Sequence, residues 1–199
     1  MELFSFAGKG SIAETLPGAP KPNACFEIDY LAETSEPIVS VGGPRVLPSK
    51  TFEEVTSKQF DIILIPGGPT ARPDQASKAV NDFISKQVTN AKYVLTVCTG
   101  SWLLSGSGVL DGKRATTNKF TFNEVKRQTS TAINWVPKAR WVVDGNIWTS
   151  SGVTAGQDMA FEFLKSIAGE EFAKFAKNVI ELRATDADDD EFAGVYGLV

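Results

Sequence analysis

Short apolar and β-branched runs alternate along the chain with stretches whose apolar residues recur at helical spacing. That alternation predicts an α/β domain with a largely parallel sheet. The strand candidates are Cys25 to Leu31, Ile38 to Val41, Asp61 to Ile65, Tyr93 to Val97, Arg114 to Thr117, Ala139 to Val143 and Ile147 to Ser150. Those at 61–65 and 93–97 are continuously apolar or β-branched, as central strands covered on both faces are. Gly42-Gly43 and Asp144-Gly145 fall between β-rich runs and predict hairpin turns, hence small antiparallel additions to the sheet. Between the two central strands, Ala79, Val80, Phe83, Ile84 and Val88 keep helical spacing behind an opening at Pro73. Met159, Ala160, Phe163, Leu164 and Ile167 form a second stripe, and Phe172, Phe175, Ala176, Val179 and Ile180 a third, with Gly169 between them. Such stripes are core-facing helix surfaces. The start differs: Glu2 to Phe6 reads as helix and is followed by a Gly/Pro-rich stretch from Gly8 to Pro22. A doubly wound fold normally opens with a strand, so either the sheet is built without one or that strand lies upstream of Met1.

Length and composition narrow the function. The 199 residues make one domain, 1–199, with no internal repeat and no dividing linker. Twenty basic against 24 acidic residues give a net charge of −4, which offers no footprint for nucleic acid or an anionic membrane. No run approaches the ~20 apolar residues that span a bilayer, and the start lacks a signal-peptide layout. There is no histidine, which excludes Ser-His-Asp and Cys-His catalysis within the chain, His-ligated zinc and a histidine proton shuttle. The two cysteines, Cys25 and Cys98, make neither a metal pattern nor a disulfide framework, so a reducing cytoplasm is expected, with no metal and no cofactor. The acidic run from Asp186 to Glu191 reads as solvated surface. Alternation along its strand puts Cys25 on the more polar face, as a peripheral thiol. Asp158 falls near the start of a helix, where a carboxylate serves structure.

The chemistry concentrates in Tyr93-Val-Leu-Thr-Val-Cys98-Thr99-Gly100-Ser101-Trp102. A buried strand runs into Cys98, and the next three residues open a helical pattern. This puts the sulfur on a sharp strand-to-helix turn, which lifts a nucleophile above the carboxyl edge of a sheet. Exposed N–H groups and the helix dipole stabilise negative charge there. The same sequence also suits a small buried apolar cysteine. Phe60 to Ile65 likewise runs into Pro66-Gly67-Gly68, whose backbone can approach a ligand at that edge. The amides of Gly68 and Thr99 are therefore candidate oxyanion donors, although a tight turn alone also accounts for the glycines. Trp102, Phe120 and Phe122 flank the site in sequence and could wall a pocket for an uncharged substrate, or belong to core or interface.

Ile65-Pro66-Gly67-Gly68, Val97-Cys98-Thr99-Gly100-Ser101, Leu110-Asp-Gly-Lys-Arg114-Ala-Thr-Thr117 and Ser150-Ser-Gly-Val-Thr154-Ala-Gly-Gln-Asp158 together resemble the PfpI/ThiJ superfamily, over about Pro37 to Leu182. The closer resemblance is to its isonitrile hydratase-like branch. It implies a flavodoxin-like doubly wound α/β fold and a homodimer. It also implies Cys98 as nucleophile, Thr99 as a neighbour whose amide and hydroxyl face the pocket, and Gly68 as an oxyanion donor. Gly67, Gly100, Trp102, Asn118 and Phe120 would surround a small-molecule substrate. The chain shows no helix-turn-helix pattern after Leu182, which disfavours the transcription-factor members. Two departures matter. The catalytic acid that the hydratases carry near the end of their first strand has no counterpart, Glu2 being the nearest N-terminal carboxylate. Asn118 stands where the branch has a histidine, so glutaminase and protease activities are disfavoured. Three functions follow: hydration of an isocyanide to an N-substituted formamide on Cys98, redox sensing or a non-catalytic role through an oxidisable Cys98, and a glyoxal-type lyase or hydrolase activity.

Overall fold

The two runs poorest in polar residues become neighbouring strands of the main sheet. In the computed structural model, which describes residues 2–199 with Glu2 through its backbone alone, the helices are α1 (Glu2–Phe6), α2 (Lys78–Val88), α3 (Gly100–Ser105), α4 (Phe122–Gln128), α5 (Val153–Ala168), α6 (Glu170–Val179) and α7 (Phe192–Val195). The strands are β1 (Leu31–Ala32), β2 (Ile38–Val39), β3 (Arg45–Val46), β4 (Lys50–Thr51), β5 (Ile62–Ile65), β6 (Tyr93–Thr96), β7 (Arg114–Ala115), β8 (Asn134–Trp135), β9 (Trp141–Asp144) and β10 (Ile147–Ser150). They fall into two compact units: residues up to Ile28 with Gln157–Asp186, and Asp29–Gly156 with Ala187–Val199.

The larger unit holds the four-stranded sheet, in the order β5-β6-β10-β9. β5 and β10 run parallel to β6, with Leu64 and Trp148 both opposite Leu95. β9 is antiparallel to β10, joined through Gly145 at a φ of 63°. Another hairpin, β2 and β3, turns through Gly42 at 68°. Both glycine turns fall where the sequence places them, because each needs a left-handed residue that only glycine adopts without steric cost. The core joins Ile63 and Ile65 of β5 and Val94 of β6 to Ile84 and Val88 of α2 and to Trp102 and Leu104 of α3. Burying each such side chain contributes about 1.5–3 kcal/mol.

In the smaller unit, Phe4 of α1 packs on Phe163 and Phe26 with ring centroids 5.9 and 5.5 Å apart. Gly169 separates α5 from α6 at a φ of 97°, and a Cβ there would lie 2.9 Å from the Asn23 amide. Asp158, buried in the second turn of α5, accepts from the Thr185 N–H at 3.2 Å and serves structure.

Several expected elements change. The strand expected from Cys25 to Leu31 contracts to a lone bridge between Phe26 and Gly8 and to β1 at its far end, leaving Cys25 exposed. Asp29 is taken instead by Lys50 and Lys58, each at 3.0 Å, which hold its carboxyl below the ordinary carboxylate range, mainly through the hydrogen bond from Lys50. The α2 helix begins behind Ser77, whose hydroxyl accepts from the Val80 N–H, and not at Pro73. The acidic run is not wholly solvated surface. Asp190 is buried, accepts from the Ala139 and Phe192 N–H groups at 3.1 Å, and meets the Lys119 ammonium at 3.2 Å. Charge density alone misread this residue, since Ala193 and Phe192 beside it start the short apolar helix that carries it inward. Among the described residues no helix is long and apolar enough to cross a membrane.

Candidate active site

Because β5, β6 and β10 are parallel, the segments that leave their carboxyl ends share one edge, the usual ligand edge of such a sheet. Cys98 leaves β6 there with a φ of 59°, in the left-handed region, where a non-glycine residue costs roughly 1–2 kcal/mol. Glu181 is the other such residue among the described ones. The thiol is half-buried and free. The strained turn is held from several sides. Thr117 Oγ1 and Ser101 Oγ both donate to the Cys98 carbonyl at 3.2 Å, and the Gly100 N–H donates to Val97 at 3.0 Å.

The glycines are explained by close approach. A Cβ on Gly67 would sit 2.7 Å from the Thr99 nitrogen and 2.8 Å from the Cys98 Cβ. One on Gly100 would sit 2.2 Å from the Ile65 carbonyl oxygen. These residues let the β5 and β6 loops touch backbone to backbone. Gly68 is different, since nothing lies within 4 Å of where its Cβ would be. Its N–H donates to Thr99 Oγ1 at 3.0 Å, and that hydroxyl donates to the Gly68 carbonyl at 3.0 Å. The Gly68 amide is thus engaged by Thr99, while the Thr99 amide has no acceptor among the described residues.

The remaining sequence candidates spread outward. Trp102 is buried in the core with the Arg72 guanidinium 4.4 Å from its ring centre, and Arg72 pairs with Glu124 at 3.1 Å. Phe122 is likewise core, packed edge-on against Trp135. Phe120 is 76% exposed and meets the Tyr196 ring at 5.9 Å. Asn118 is half-buried, directly after the Thr117 that bonds the Cys98 carbonyl. The structure therefore brings Cys98, Thr99, Gly67, Gly68 and Gly100 together and puts Trp102 and Phe122 in the core.

Sequence reasoning missed two supports. Thr117 and Ser101 were visible in the motifs, but their roles appear only once the Cys98 carbonyl is seen to need donors. Behind them lies a buried cation. Lys119 Nζ donates to Thr116 Oγ1 and to the Ala139 carbonyl, both at 2.7 Å, and pairs with Asp190. Burial pushes the Lys119 ammonium below the ordinary lysine range, and Asp190 partly opposes that shift. Nothing in the sequence pairs residues 119 and 190.

A thiol on a left-handed strand-to-helix turn, at the carboxyl edge of a parallel sheet, defines the class as an α/β protein with a strained cysteine turn at the ligand edge of its sheet. A model of the DJ-1/PfpI family matches residues 14–166, and the chain belongs to that family. It is 35% identical over 146 residues to an isonitrile hydratase of Pseudomonas putida, covering 73% of this chain and 61% of that protein. The chain thus spans about three fifths of the length of that relative. It is 23% identical to a glutathione-independent glyoxalase of Caenorhabditis elegans, covering 73% of this chain and 76% of that one. A solved ThiJ/PfpI family protein from Pseudomonas syringae superposes with a TM-score of 0.64 at 26% identity, over 78% of this chain and 63% of that one. The fold is the flavodoxin-like α/β fold that the family resemblance implies.

Proposed function

We propose that this chain is a cysteine-dependent enzyme of the isonitrile hydratase type. The observation that carries the reading is the strained, half-buried Cys98 turn, braced through its carbonyl by Thr117 and Ser101 and opposed by Gly67. The 35% identity to a hydratase supports the substrate class. The Cys98 sulfur forms a bond to the terminal isocyanide carbon, which takes up a proton to give a thioimidate. Water then adds to that carbon, the C–S bond breaks, and a proton moves to nitrogen. The product is an N-substituted formamide, the net change is addition of one water, and the thiolate is regenerated. The Thr99 amide is the donor best disposed to meet developing charge. Gly68 joins it once its bond to the Thr99 hydroxyl opens.

The side chains bonded to the Cys98 turn are hydroxyls, and the Glu2 side chain lies outside the described residues. A positioned acid is worth about 10²–10⁴-fold, so turnover is slow where solvent supplies the proton. A second reading needs no positioned acid: Cys98, half-buried and free, is an oxidisable sensor thiol. An exposed Phe120 beside Tyr196 supports a homodimer, and the free Cys25 and Cys98 fit a cytoplasmic setting.

Formamide release from an aryl isocyanide, measured beside Cys98→Ala, tests the proposal. The expected result is turnover that vanishes in the variant. Equal rates in both proteins would overturn it, and no turnover with reversible Cys98 oxidation by peroxide would establish the sensor reading.

A further inference from the structure

The buried ammonium of Lys119 has all of its hydrogen-bonding capacity committed. An ammonium carries three donors. They go to Thr116 Oγ1 and the Ala139 carbonyl, both at 2.7 Å, and to Asp190 at 3.2 Å. Asp190 in turn accepts from the Ala139 N–H at 3.1 Å, so the ion pair grips both polar groups of one residue's backbone. Stability gives little reason for such a pair, since well-packed apolar side chains of similar volume are often as stable in its place or more so. What an apolar pair would lack is the fixed direction of these bonds.

That direction leads to Cys98. The hydroxyl that Lys119 holds donates onward to the Val136 carbonyl at 2.9 Å, and the Thr116 N–H donates to Thr149 Oγ1 at 2.9 Å. Thr149 stands on β10 opposite Thr96 of β6, the strand that leads into Cys98. Thr116 is thereby fixed through backbone and side chain, and the hydroxyl of the next residue, Thr117, donates to the Cys98 carbonyl. A trans peptide unit is planar, so the Cys98 carbonyl and the Thr99 N–H point to opposite sides. Donors on buried Thr117 and Ser101 hold that carbonyl inward, which turns the Thr99 N–H to the side where it meets no acceptor among the described residues.

We propose that Lys119, anchored by Asp190, is a positioning residue for Cys98. Through Thr116 and Thr117 it keeps Cys98 in its left-handed conformation and aims the Thr99 N–H at the substrate, while touching no reacting atom itself. Its kinetic consequence rests on the reading of Cys98 as the reacting group of a hydratase. Its conformational consequence does not, so the two are measured separately.

The test uses the double variant Lys119→Met with Asp190→Asn, which removes both charges together and leaves neither buried without its partner. In that chain and in the parent, Cys98→Gly and Cys98→Ala are compared by thermal unfolding. In the parent the left-handed turn favours the glycine by roughly 2–4 °C of Tm. In the double variant the turn is free to relax, so that preference is expected to disappear, with alanine as stable as glycine or more so. With Cys98 in place, formamide release from an aryl isocyanide should show kcat lower by about tenfold or more and KM unchanged, because the misdirected donor acts in the transition state alone. Thr116→Val keeps the ion pair and cuts its link to the turn; it is expected to give the same two changes, and it carries the test where the double variant does not fold. A glycine preference that persists in these variants would overturn the proposal, because the turn would then be held without Lys119. Loss of the preference with kcat unchanged would overturn it as well. Loss of the preference in a protein whose parent shows no isocyanide turnover would uphold the positioning role and remove the hydratase reading instead.

Discussion

Cys98 is held in a conformation that its own side chain disfavours, and the cost is placed where the reactive atom sits. Strain of this kind persists only when the surroundings over-determine it, here through Thr117, Ser101 and the close Gly67. Cys98→Gly is expected to be more stable than Cys98→Ala by about 1 kcal/mol, the left-handed penalty outweighing the added freedom of the unfolded glycine. In thermal unfolding that is roughly 2–4 °C of Tm for a chain of this size. An alanine more stable than the glycine would contradict the strained turn. The neighbouring glycines separate in a similar way. Gly67→Ala would drive a methyl into the Thr99 nitrogen and the Cys98 Cβ, and should lower both stability and the rate of Cys98 alkylation. Gly68→Ala meets open space, so it should keep its Tm while depressing turnover if that amide faces substrate. Equal losses of stability and turnover in Gly68→Ala would remove Gly68 from the oxyanion site.

Among the elements, the segment between α6 and α7 and the turn between β7 and α4 are joined by one ion pair. Lys119 and Asp190 are both buried, and the lysine also ties Thr116 to the Ala139 carbonyl, one residue from the Thr117 that holds Cys98. Removing one partner of a buried pair leaves an uncompensated charge and costs about 3–5 kcal/mol. Asp190→Asn should show that loss in urea unfolding and push the Lys119 ammonium further down, and Lys119→Met in the same chain should recover most of it. Recovery failing in the double variant would mean that Asp190 acts through its bonds to Ala139 and Phe192 instead. The sign of the pH dependence follows from the lowered Lys119 value. Between that value and the ordinary lysine one, the unfolded chain binds more protons, so this group makes stability rise with pH across the window.

The sequence made the elements with a strong period legible: the continuous apolar runs of β5 and β6, the stripes of α2, α5 and α6, and the glycine turns. It made the Cys98 turn and its glycines legible because a strand, a thiol and a helix start are contiguous. What it could not show are pairings between distant residues. Asp29 pairs with Lys50 and Lys58 inside the run expected as a strand, Asp190 of the acidic run pairs with Lys119 in the interior, and the Thr99 hydroxyl accepts from the amide of Gly68. Each is a local choice overruled by a partner that no spacing rule supplies.

For the whole molecule, the near balance of charge conceals one ammonium treated unlike the others. Lys119 is the lysine sealed within the described structure, its side chain 3% exposed. Amine-reactive acylating reagents require an unprotonated nitrogen that they can reach, and this nitrogen is unreachable until the chain around it opens. Under brief native labelling Lys119 should therefore stay unmodified while Lys78, Lys92 and Lys174 react, as mass spectrometry of the digest would show. Its modification rate then becomes a clock for opening of the larger unit, read from a single amine without any introduced probe.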